Sequence, residues 1–265
     1  SRVAESGKRI PVIAKIERAE AVAALDEILA EADGIMVARG DLGVEISLAG
    51  LPVVQKELIL RANRRGKLVI TATQMLESMI ENDIPTRAEA TDIANAVFDG
   101  TDAVMLSGET AAGKYPVAAV AAMTRILLES EASRYVPSVE LDPSASTCTA
   151  ISRSISGAAH QLSRELESDA IVVFSWRSEK ALLLSKRRGR IPMIAVCHDE
   201  RQWRAYCLFW GIVAVLIPPK ENMQDLLEAG IEAAVQQRLL RDGQRVVVVF
   251  GFSDQGVVSL RLHQI

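Results

Sequence analysis

Four apolar runs end in residues able to handle charge or protons. In Pro11–Glu17 the strand period of two puts Val12, Ala14 and Ile16 on one face and Ile13, Lys15 and Glu17 on the other. A cation and an anion on an otherwise apolar segment are costly to bury without a partner or a task. Two readings fit: a local ion pair at a sheet rim, or a Lys15 that stabilises anionic charge beside a Glu17 that binds a metal. Gly34–Ala38 runs into Arg39-Gly40-Asp41-Leu42-Gly43. Its two glycines allow close backbone approach to a ligand, or else the word is an ordinary turn with Asp41 as a cap. Leu68–Thr73 ends in Thr71-Ala72-Thr73-Gln74, which puts hydroxyls on one face at the same rim. Asp102–Leu106 ends in Ser107-Gly108-Glu109-Thr110, a polar word that also suits a helix start.

Helical patterns separate these runs and must position them. Val22, Leu25, Ile28 and Leu29 share one helical face, and a second helix spans Val54–Arg65 before Gly66. Thr86-Arg87-Ala88-Glu89 forms a capping box at the start of a third. Strand–helix alternation means parallel strands with crossover helices. Polar groups at the same end of four successive strands mark the active face of a (β/α)8 barrel. The stretch Glu131–Ser146 loses periodicity and carries Pro137 and Pro143, so it reads as a link between domains. A helix over Thr149–Leu166 then opens a second alternation, with strands at Ala170–Phe174, Pro192–Val196, Ile212–Leu216, Arg245–Phe250 and Val257–Leu262. The tight Gly251–Gly256 connection leaves no room for a helix, so the last two strands pair antiparallel. Trp203 and Trp210, flanking Cys207, are expected in a helix packed on this sheet.

Composition bounds the class. The chain has 265 residues, 49% hydrophobic and 24% charged, enough for one large domain or two smaller ones. Its formal net charge of −4 leaves no basic surplus for nucleic acid, and no apolar run reaches membrane-spanning length. Cys148, Cys197 and Cys207 are an odd set without metal-type spacing, the pattern of reduced thiols in a cytoplasmic protein. The first residues, Ser-Arg-Val-Ala-Glu-Ser-Gly-Lys, hold neither a signal nor an initiator Met, so the chain is expected to begin within something larger.

Six words in order carry a family resemblance. Ala14-Lys15-Ile16-Glu17, Asp33–Gly43, Ala72–Met79, Pro85–Glu89, Asp92–Val97 and Met105–Thr110 closely resemble pyruvate kinase. The resemblance implies transfer of phosphate from phosphoenolpyruvate to ADP, giving pyruvate and ATP in glycolysis. It assigns Lys15 to the transferring phosphoryl group and the enolate, and Glu17 and Asp41 to a divalent cation, Mg²⁺ or Mn²⁺. Gly40 and Asp41 would hold the substrate carboxylate through backbone amides, and Thr73 would lie near the enolate carbon that takes a proton. Glu77, Arg87, Glu89, Asp92 and Asn95 are expected to brace helices or an interface, Arg87 foremost. K⁺ is implied as well, with ligands outside this chain, and so is a homo-oligomer, a tetramer by resemblance.

The match starts at the family's fifth barrel strand. The expected architecture is therefore the C-terminal half of a (β/α)8 barrel, residues 1–132, then a linker, 133–147, and an open α/β C-terminal domain, 148–265. The first four barrel strands, the inserted lid domain and a phosphate-contacting Arg are not in the match. Half a barrel leaves two sheet edges unpaired, and Ile13 and Val69 are expected to face an uncovered interior. Such a piece alone is expected to be inactive. The C-terminal domain matches in element order but poorly in words. Where regulated members hold an effector phosphate, this chain reads Phe174-Ser175-Trp176-Arg177-Ser178-Glu179-Lys180. Ser175, Arg177, Ser178 and Lys180 are the candidate contacts, although no glycine is present and Glu179 opposes an anion. The alternative function is a non-catalytic oligomerisation or metabolite-sensing module; the intact set Lys15, Glu17, Asp41 and Thr73 favours the enzyme.

Overall fold

The computed structural model describes residues 10–136, 138–143, 150–175, 178–252 and 257–265. The chain divides into two compact units, Ser1–Pro137 and Ser138–Ile265.

In the first unit, strands β1 (Ile13–Ile16), β2 (Gly34–Ala38), β3 (Leu68–Ala72) and β4 (Ala103–Met105) form a parallel sheet in chain order. Helices fill every crossover: α1 (Ala19–Ala23) and α2 (Leu25–Glu31), α3 (Arg39–Glu45) and α4 (Leu51–Arg64), then α5 (Arg87–Asp99). After β4 come α6 (Gly108–Ala111) and α7 (Pro116–Ala132). The face expected as one helix breaks at Ala24 (φ −89°, ψ 19°), yet Leu25 and Leu29 bury as the spacing requires. The capping box forms. Thr86 Oγ1 accepts from Glu89 N–H at 3.2 Å, and Glu89 Oε2 accepts from Thr86 N–H at 2.8 Å.

One face of this sheet is sealed by helices. Ile16, Ile35, Val37 and Val69 pack with Leu25, Leu29, Leu58 and Ile59 into a closed cluster. Val69 therefore lies on the helix side, fully buried, not on the interior side as the sequence suggested. The reason is register: Val69 pairs with Ile35, which pairs with Ala14, one residue out of phase with Ile13. On the other face Ile13, Met36, Ile70, Ala103 and Met105 remain half-buried. Gly34 sits on that face beside Leu68, where an added Cβ would come 2.6 Å from the Leu68 carbonyl oxygen and 2.9 Å from Ile13 Cδ1, so close strand packing excludes a side chain.

The second unit is a five-stranded sheet in the order β7 (Ile212–Leu216), β6 (Met193–Cys197), β5 (Ala170–Ser175), β8 (Arg245–Phe252), β9 (Val257–Gln264). All pairs are parallel except β8–β9, which is antiparallel as the short connection demands. Its helices are α8 (Ala150–Glu165), α9 (Glu179–Lys186), α10 (Glu200–Tyr206) and α11 (Met223–Gln236). Both faces are covered. Val172, Phe174, Val248 and Phe250 pack against α11, while Ile171, Val173 and Val249 pack against α8, α9 and Tyr206 of α10. Trp203 and Trp210 pack against that second cluster, but only Trp203 is helical; its Nε1–H donates to the Ala214 carbonyl at 3.2 Å.

Candidate active site

The C-terminal ends of β1, β2 and β3 bring three of the expected residues into one cluster and a fourth beside it. Lys15 Nζ donates to Asp41 Oδ2 at 2.7 Å and also pairs with the Glu17 carboxylate. The three side chains are 40–53% exposed, so this is an accessible group and not a buried brace. Hydrogen bonding to Asp41, then to Glu17, raises the Lys15 ammonium to about 12. The same bond holds the Asp41 carboxyl below its ordinary range. Lys15 is thus a fixed cation throughout neutral pH, with two carboxylates converging on it.

Asp41 arrives there because α3 begins directly at the end of β2. Arg39-Gly40-Asp41 is the first turn of that helix, capped by Ala38 without a side-chain bond. The alternative of Asp41 as a cap is therefore not realised, and neither is an open glycine loop. The Gly40 N–H donates instead to Thr73 Oγ1 at 2.7 Å, and the Thr73 hydroxyl donates to the Ala72 carbonyl at 2.6 Å. Thr73 and Gln74 both take left-handed conformations, φ 68° and 56°. This ends the strand alternation after Ala72. Thr71 consequently does not share a face with Thr73: it is fully buried on the helix side, donating to Thr101 Oγ1 at 3.0 Å.

Similarity decides whose geometry this is. A family model for the pyruvate kinase barrel domain matches residues 2–120, and one for the pyruvate kinase alpha/beta domain matches residues 153–260. The chain belongs to the pyruvate kinase family. It is 44% identical over 248 residues to a pyruvate kinase of Geobacillus stearothermophilus, covering 94% of this chain and 42% of that protein. It is 43% identical to pyruvate kinase 2 of Synechocystis, covering 97% of this chain and 43% of the relative. A solved pyruvate kinase from Cryptosporidium parvum superposes with a TM-score of 0.86 at 34% identity, over 96% of this chain and 51% of the other. The chain thus spans about half the length, or less, of these relatives. Its fold is the family's: part of the barrel domain followed by the alpha/beta domain.

Within this pyruvate kinase barrel unit, sequence reasoning passed over Arg39. It is 5% exposed, and its guanidinium donates to the carbonyls of Thr73 (2.8 and 3.2 Å) and Gln74 (3.1 Å), and to Asp92 Oδ2 (2.6 Å). The signal was present: an arginine closing an apolar parallel strand has the same burial problem that singled out Lys15. Glu109 was also underrated. Only 1% exposed, it accepts from Leu76 N–H at 3.1 Å and Ser107 N–H at 2.7 Å, tying the rim of β4 to the loop after β3. Glu89 braces as expected, accepting from the Ser78 N–H at 2.7 Å and hydroxyl at 2.6 Å. Asp92 does so through Arg39.

In the alpha/beta unit, Ser175 ends β5 and is buried, its carbonyl accepting from Gln202 Nε2 at 2.7 Å. Lys180 is 4% exposed, and Ser178 precedes α9 without a side-chain capping bond. Arg177 lies outside the described residues, as do residues 253–256 of the late turn and Cys148. Two of the three described candidates for an effector contact are therefore buried side chains.

Proposed function

We propose that this chain carries the reaction centre of a pyruvate kinase that transfers the phosphoryl group of phosphoenolpyruvate to ADP. The single observation behind this reading is the Lys15 ammonium held between the carboxylates of Glu17 and Asp41 at an accessible strand rim. Phosphoryl transfer asks a protein mainly for positioning and charge neutralisation. In the proposed reaction the bond between phosphorus and the enol oxygen breaks, and a terminal oxygen of ADP takes the phosphoryl group. The enolate left behind takes a proton on carbon and becomes pyruvate. Lys15 stabilises the negative charge on the transferring group and the enolate oxygen. Thr73 stands near the carbon that is protonated, and the amides of Gly40 and Asp41 hold the substrate carboxylate once Gly40 N–H exchanges its Thr73 partner for substrate.

Glu17 and Asp41 fit a Mg²⁺ or Mn²⁺ site. Such an ion commonly takes one or two carboxylates and completes its shell with water and substrate oxygens. The carboxylates of Glu17 and Asp41 converge on Lys15 at the accessible rim, which offers such an ion two protein ligands. When bound, the ion would neutralise phosphate and enolate charge. We assign K⁺ dependence, a homotetramer and a cytoplasmic location to the whole protein on family grounds. The division into a partial barrel (1–132), a linker (133–147) and a regulatory domain (148–265) belongs to the same reading, with effector contacts at Ser175, Arg177, Ser178 and Lys180. Among the described residues no helix is long and apolar enough to cross a membrane.

The test is Asp41→Asn, which keeps the shape and removes the charge. In a preparation that turns over phosphoenolpyruvate, the Mg²⁺ concentration for half-activation should rise by about tenfold or more, the scale seen for disturbing a metal site's surroundings. An unchanged Mg²⁺ activation curve would overturn the assignment, and absence of any turnover in the complete protein would favour the non-catalytic module.

A further inference from the structure

We propose that Arg39 is the positioning residue for the Thr73 hydroxyl, and that Arg39-Gly40-Asp41 acts as one three-point hub for the reaction centre. The proposal rests on the reading that Thr73 serves the proton-transfer step. Three consecutive residues reach three different groups. The Arg39 guanidinium takes the Thr73 and Gln74 carbonyls, the Gly40 N–H takes the Thr73 hydroxyl, and the Asp41 carboxylate takes Lys15.

The loop needs such a hold. A β-branched residue with φ 68°, followed by a second non-glycine residue at φ 56°, is sparsely populated backbone that persists only where its surroundings over-determine it. Without substrate the Gly40 N–H donates to the Thr73 hydroxyl, and Arg39 holds the Thr73 carbonyl; when Gly40 turns to substrate, Arg39 is the contact from α3 that still sets the residue. The guanidinium is in turn fixed by Asp92 Oδ2 at 2.6 Å on α5, and lies 3.5 Å from Gln55 Oε1 on α4. A planar fork with five donors can serve two carbonyls and a carboxylate together; an ammonium on a flexible stem cannot hold the same three in one plane. Arg39 is thus chosen for geometry as much as for charge.

Arg39→Lys tests this in the active form of the protein, with Thr73→Val and Asp92→Asn beside it. Two rates are read: kcat for phosphoryl transfer, and exchange of pyruvate methyl protons with solvent, which reports proton transfer at carbon. Arg39→Lys should slow methyl-proton exchange by about 10–100-fold, the cost of displacing a reacting group by an ångström or so. KM for phosphoenolpyruvate should stay within about twofold, because the binding groups are untouched. A role confined to stability would lower Tm without separating the exchange rate from KM. If Thr73→Val leaves exchange intact, the reading of Thr73 falls and the proposal with it. If Thr73→Val slows exchange but folded Arg39→Lys does not, the positioning role is overturned and the reading of Thr73 stands. Should Arg39→Lys fail to fold, Asp92→Asn decides: a selective loss of exchange supports the hub, and wild-type exchange overturns it.

Discussion

In the second unit β5 is buried along all six residues, and hydrophobic clusters lie on both faces of the sheet. In the first unit the helix face is equally closed, but the opposite face leaves Met36 and Ile70 half-buried and places Lys15 on the same rung, more exposed still. The two sheets show where this chain spends its residues. A sheet covered on both faces is built for stability and reads as continuous apolar runs such as Ala170–Phe174. In the first unit the candidate chemistry sits at the C-terminal strand ends, where Lys15, Glu17 and Asp41 converge with Thr73 alongside.

The comparison is broken most severely by emptying the closed core. Phe174 and Phe250 stack with centroids 5.1 Å apart. Phe174→Ala should destabilise the second unit by about 3–5 kcal/mol, the usual cost of a buried Phe truncation, measured by denaturant unfolding. In residues 1–265 alone, Met36→Ala should cost the first unit at most about 1–2 kcal/mol, since a half-buried side chain has less transfer energy to lose. Equal losses would mean the two sheets are covered alike.

Chemistry should show the reverse dependence. Lys15→Met is expected to lower kcat by about 10²–10³-fold, on the scale of removing one electrostatic donor from a reaction centre, with KM little changed. A loss confined to KM would mean that Lys15 binds substrate and transition state equally. Neither outcome should move the unfolding of the second unit.

Edges give a smaller but direct contrast. Among the described residues β1 and β4 each pair on one side only, while β5 and β8 are flanked on both. In residues 1–265 expressed alone, amide exchange over residues 13–16 and 103–105 should therefore be faster than over residues 246–250, and the first unit should be nicked by protease before the second. Uniform protection across both units would refute the difference in coverage.

The finest contrast is in titration. Lys15, raised from its ordinary 10.5 to about 12 by Asp41 and Glu17, should keep its proton well past pH 10.5, followed by NMR at Nζ. The sign follows from linkage: the pair's contribution is whole below about 10.5 and is lost as pH rises through about 12. Asp41 is depressed below 3.8, so its contribution is present above that value and is lost as pH falls through the lower folded value. Asp41→Asn should bring Lys15 back toward its ordinary range. In the closed unit, burial first and then the neighbouring charges of Asp199 and Cys207 push the Cys197 thiol up to about 12, so near pH 8 buried Cys197 should resist alkylation while exposed Cys207 reacts.

The sequence by itself determined the local features of this protein. Short apolar, β-branched runs announced the strands, Thr86 and Glu89 announced a helix start, and the Lys-Ile-Glu and Arg-Gly-Asp words marked the rim where charge collects. These signals are legible because each depends on residues a few positions apart, where backbone geometry fixes the spacing. Tertiary structure alone decided which face Val69 joined, because that depends on register with Ile35. It also decided that Thr73 leaves the strand in a left-handed turn while Thr71 stays buried beside Thr101. Arg39 found its partners 34 residues away at Thr73 and 53 away at Asp92. No local spacing encodes such pairings. They follow from closing one face of the sheet with helices, which desolvates a guanidinium and leaves it only the carbonyls and the carboxylate that packing brings within reach.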